Sequence, residues 1–63
     1  MKRDVSITGW VVENMGDWYR LNGYSLNDDR WPNGEHILTS MLERIDFVSG
    51  IAETRNTIYR LSK

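Results

Sequence analysis

The chain contains no cysteine, so neither a disulfide nor a thiolate metal site can supplement its core. No apolar run approaches the roughly 18 residues of a membrane-spanning helix. The opening stretch, MKRDVSITG, carries two basic residues but lacks the apolar segment of a secretion signal. A cytoplasmic protein without membrane association is the resulting expectation. Charge of one sign is missing too: eight Lys and Arg face nine Asp and Glu, a net charge of −1. That balance gives no electrostatic footprint for duplex DNA, where a basic face is expected, and it is too slight to suggest a DNA mimic.

Catalytic motifs are equally scarce. Gly9, Gly16, Gly23, Gly34 and Gly50 are scattered singly, so no glycine-rich phosphate loop exists. There is no Gly-x-Ser-x-Gly elbow. His36 is the only histidine. A zinc site would have to gather Asp28, Asp29 or Glu35 around it, whereas such sites usually use more nitrogen or sulfur ligands. Asp28 and Asp29 are adjacent, which on a strand sends them to opposite faces. As an acid/base pair they would need a deep pocket to separate their pKa values, and a solvated turn is the plainer reading. The expectation is a protein that is not an enzyme and holds no cofactor and no metal.

What remains is one domain, residues 1–63, near the lower size limit for unstapled folding. Such a chain buries only about 60% of its unfolded surface, so the core is a single thin layer. Three tryptophans, three tyrosines and one phenylalanine compensate with large rings. The segment VVENMGDWYRL (residues 11–21) aligns without a gap on IAETRNTIYRL (residues 51–61), an offset of 40. Both copies read as β-hairpins. Residues 5–12 are rich in β-branched side chains, with Val5, Ile7 and Val11 on one face and Gly9 permitting a bend. Residues 14–17 turn the chain, and residues 18–21 return it with Tyr19 and Leu21 inward and Trp18 and Arg20 opposite. In the second copy Arg55 and Asn56 form the turn, with Asn56 suited to a left-handed conformation, and Tyr59 and Leu61 point inward.

Between the copies, Asn22-Gly23 is a further turn signal. Residues 27–34, NDDRWPNG, read as an exposed excursion pinned by the ring of Trp31. Residues 35–48 are ambiguous. Apolar positions 37, 38, 41, 42 and 45 fit a helical stripe, while the Ile-Leu-Thr-Ser start leans to strand. Two flanking hairpins also need a sheet of three or more strands. A strand bent near Thr39 and Ser40 reconciles these signals; one helix over 35–46 is the α+β alternative.

Asp29, Arg30, Trp31, Gly34, Ile37, Thr39 and Ser40, followed by Thr54, Asn56, Thr57, Tyr59 and Leu61, carry a pattern of loop, "xGxxIxTS" strand and "TxNTxYxL" hairpin. In this it resembles short, mostly uncharacterised proteins encoded by phages and prophages, over about the C-terminal half. The resemblance implies a small, strongly bent β-sheet or an SH3-like barrel and tips residues 35–46 towards strand. It supplies no catalytic residue. The fold expected is all-β, with four to five antiparallel strands. Its expected core is Val5, Ile7, Val11, Tyr19, Leu21, Ile37, Met41, Ile45, Ile51, Tyr59 and Leu61.

Aromatic residues near arginines are the best local hints of a surface. Trp18 with Arg20, Trp31 with Arg30, and Arg60 are the candidate binding residues, because Trp and Arg dominate interaction hot spots. The expected function is a non-catalytic protein-interaction module. The resemblance adds a phage or prophage accessory protein that binds and modulates a host protein or protein complex, such as a defence system, as an inhibitor. A homodimer burying its rings is a further reading. The alternative function is a single-stranded nucleic-acid binder that stacks bases on Trp18, Arg20 and Arg60.

Overall fold

The computed structural model describes residues 2–62. Six strands form one sheet: β1 (Arg3–Asn14), β2 (Tyr19–Leu26), β3 (His36–Leu38), β4 (Arg44–Asp46), β5 (Ile51–Glu53) and β6 (Thr57–Leu61). Their order is β3-β2-β1-β6-β5-β4, and the sheet is not closed into a barrel. The fold is all-β, as expected, but two details differ. There are six strands rather than four or five, and central β1 pairs parallel with β6 while every other pairing is antiparallel.

Residues 35–46 form no helix. They make β3, a corner and β4, and this split supplies the additional strand. Main-chain bonds tie the corner to both halves of the sheet. The Thr39 and Leu42 N–H groups donate to the carbonyls of Leu21 and Tyr19, and the Glu43 N–H donates to Glu53. Of the helical stripe, only Ile37, Leu42 and Ile45 reach the core; Leu38 and Met41 stay half exposed. Long-range pairing overrides the local period here. Among the described residues no helix is long and apolar enough to cross a membrane.

Val5, Ile7, Leu21, Ile37, Ala52 and Tyr59 are the buried core, with Trp10, Val12, Leu42, Ile45 and Leu61 packed against it. Val11, Tyr19 and Met41 were expected there and are instead more than half exposed. A bulge explains Val11. Gly9 has φ +57°, and the β1–β2 register shifts between Thr8 and Val11. One extra residue flips the alternation, turning Trp10 and Val12 inward in place of Val11. Tyr19 shares a face with Leu21 but is the first residue of β2, beside the hairpin turn, and is 51% exposed. Ile51 is only partly buried because Ala52 pairs with inward-facing Tyr59, and paired residues share a face.

Both expected hairpins form. Each closes on a two-residue loop: Met15 N–H to Trp18 O at 2.8 Å, and Thr54 N–H to Thr57 O at 2.9 Å. The equivalent closing residues are 39 apart, not 40, so the sequence echo is out of structural register by one residue. The inward pair is Val12 with Leu21 in the first hairpin and Ala52 with Tyr59 in the second. Asn56 does not take positive φ; Asn27 does, at 57°. Asn22 and Gly23 form no turn but lie within β2, opposite Leu38 and Ile37.

Candidate functional site

The two edges of the sheet, β3 and β4, are consecutive in the chain, so the sheet curls and leaves an open seam. The corner 39–43 bridges one end of it. Along the rest runs a groove of about 490 Å³, with β3 on one wall, the β5–β6 turn on the other and Trp31 among its lining residues. Trp31 is 47% exposed. Of the residues that carry the phage-protein resemblance, all but Asp29, Gly34 and Leu61 line this groove. Two motif segments far apart in sequence therefore converge on one surface.

Asp28, not the ring of Trp31, pins the loop that forms the Trp31 end. Its side chain is fully buried and accepts from the Arg30 main-chain N–H at 2.9 Å and from the Arg30 guanidinium at 2.7–3.2 Å. The Asp28 carbonyl accepts from the Trp31 N–H at 3.2 Å. Asp28 is thus no solvated turn residue; Asp29, 81% exposed and ion-paired with Arg3, fits that description better. The Arg30 hydrogen bonds hold the Asp28 carboxyl below its ordinary range, and Asp28 in turn raises Arg30, with the Tyr59 hydroxyl contributing.

A depressed carboxylate pKa contributes stability that is present above the ordinary value near 4 and is lost as pH falls through the folded value. Asp28→Asn is expected to cost about 1–3 kcal/mol at neutral pH, because the Arg30 donors lose an ionised acceptor at a buried site. The gap between variant and parent melting temperatures should narrow below about pH 4. A gap constant from pH 7 to pH 2 would show that the carboxylate charge is not what holds the loop.

The other candidate residues do not gather. Arg20 pairs with Glu13 at 2.8 Å, and Arg60 with Asp4 at 2.9 Å. Their partners on β1 are Glu13 and Ser6, separated by roughly 20 Å of strand. Trp18 and Arg20 stay together at the β1–β2 turn, Arg30 and Trp31 line the groove, and Arg60 belongs to the outer face. Among the described residues, every Lys and Arg except Arg55 has a carboxylate within 4 Å. His36 is engaged by Asn22, 2.6 Å from Nε2, and leans on the Tyr24 ring.

Sequence reasoning missed the turn between β4 and β5. Phe47 is 63% exposed and Val48 99%. Phe47 stacks on Trp10 at 6.1 Å beside a second concavity of about 400 Å³. The Phe-Val pair next to Ser-Gly was the available signal, hidden by its apparent continuity with the preceding apolar stripe. Fold and site together define a small, open-seamed β-sheet protein with an aromatic-walled groove beside an edge strand. Comparison with protein-family models, with curated proteins and with solved structures finds no match.

Proposed function

We propose that this chain is a non-catalytic protein-interaction module that binds its partner at the Trp31 groove. The observation that carries the reading is the half-exposed Trp31 residue on a preformed groove whose loop is fixed by buried Asp28 and its pair with Arg30. An aromatic anchor held in place loses little entropy on binding. The phage-protein resemblance extends the proposal to a phage or prophage accessory protein that modulates a host protein complex, such as a defence system. Neutralised arginines, and a Trp18–Arg20 pair distant from Arg60, give the single-stranded nucleic-acid reading no assembled platform. The test pairs two titrations. Immobilised protein should capture a stoichiometric bacterial protein from lysate, and Asp28→Asn, which loosens the loop, should weaken that capture. Tryptophan fluorescence should not respond to a single-stranded oligonucleotide at low salt. Salt-sensitive quenching by the oligonucleotide would replace this reading with the nucleic-acid one.

A further inference from the structure

The two exposed edges of the sheet differ in chemistry. β4 presents Arg44 and Asp46 on either side of Ile45, and charged residues are a usual guard against strand pairing. β3 has no such guard: residues 36–42 contain no Lys, Arg, Asp, Glu or Pro. Among the described residues β3 pairs only with β2. Ser25 N–H donates to Glu35 O, and Thr39 N–H donates to Leu21 O, which sets the parity of the antiparallel ladder. The Glu35 carbonyl and the Thr39 N–H face β2, as does Ile37 opposite Gly23, while the Glu35 N–H turns back to the Pro32 carbonyl. The N–H and C=O groups of His36 and Leu38 therefore point away from β2, into the groove.

From this we infer that the groove takes an extended segment of a partner polypeptide, added to β3 as a seventh strand. The inference rests on the interaction-module reading and names its recognition mode. Free main-chain donors and acceptors at strand spacing are matched by another main chain. The edge is recessed, with the β5–β6 turn as its opposite wall. A single extended segment can thread such a slot, whereas a second copy's equally recessed β3 cannot reach into it. Glu35 lines the same groove with no cation within 4 Å among the described residues, so the incoming strand carries a basic side chain there.

The probe is a set of dodecapeptides selected from a random display library against the folded full chain. Bound peptide should slow hydrogen exchange of the His36 and Leu38 amides at least tenfold. The chain is short enough for total synthesis, and an ester in place of the Leu38 amide removes that N–H while keeping the side chain. This form should bind the peptides at least tenfold more weakly. The exchange measurement on the unmodified chain stands even if the ester form fails to fold. Peptides that bind without protecting these amides overturn strand addition while leaving the interaction module intact. Failure to select any peptide, together with no lysate capture, overturns both. Concentration-dependent protection without peptide would assign the edge to a second copy and overturn the proposal.

Discussion

Ile7→Ala is expected to remove about 2–5 kcal/mol of stability from a protein whose total, at its length, is about 3–9 kcal/mol. Ile7 is completely buried on the central strand, and one thin layer has nothing behind it to fill a void. The denaturant midpoint, followed by near-ultraviolet circular dichroism, should fall by at least about a fifth; a loss below about 1 kcal/mol would show that the site collapses freely. The same side chain explains Gly23. A Cβ at that position would sit 2.9 Å from Ile7 Cγ1 and 3.0 Å from the Thr8 carbonyl. Gly23→Ala should therefore cost about 1–3 kcal/mol by overpacking. Combining it with Ile7→Val should cost less than the sum of the two single changes, because Val lacks the Cδ1 that crowds the new methyl.

Trp31→Ala is expected to lower partner affinity by about 30-fold or more, the scale of an aromatic hot spot of ~2 kcal/mol. Its melting temperature should stay within a few degrees of the parent, since half the ring already faces solvent. Trp18→Ala is the informative contrast. Trp18 is half buried at the end of the first hairpin and does not line the groove, so its loss should lower stability more than affinity. Titration of both variants against the captured partner checks this. Equal affinity losses would move the contact surface towards the β1–β2 turn.

Part of this was legible in the sequence because it is local. Gly16-Asp17 and Arg55-Asn56 announce their hairpins by chemistry confined to the turn. Val5, Ile7, Leu21 and Tyr59 declare an inward face through period two. Trp31 and Arg30 stood out as candidates and do line the groove. Ile51 and Ala52 could not be ordered in advance, because the choice follows from Tyr59 lying opposite Ala52 on β6. Val11 failed for a similar reason: Gly9 signalled a bend, but a bend and a register-shifting bulge look alike in one strand. The echo of YRL was misleading because a repeat in letters need not be a repeat in pairing, and here it slips by one residue.

By itself the sequence determined the class of fold, the two hairpins and the absence of disulfide support. These follow from turn chemistry, β-branched content and composition, each of which acts over a few neighbouring residues. Only the tertiary structure decided that β1 and β6 run parallel, that Asp28 is buried beneath Arg30, and that β3 ends as an unguarded edge beside Trp31. Each of those depends on which distant segment lies alongside, and a hydrogen-bonding edge is free or occupied only once every other strand has found its partner.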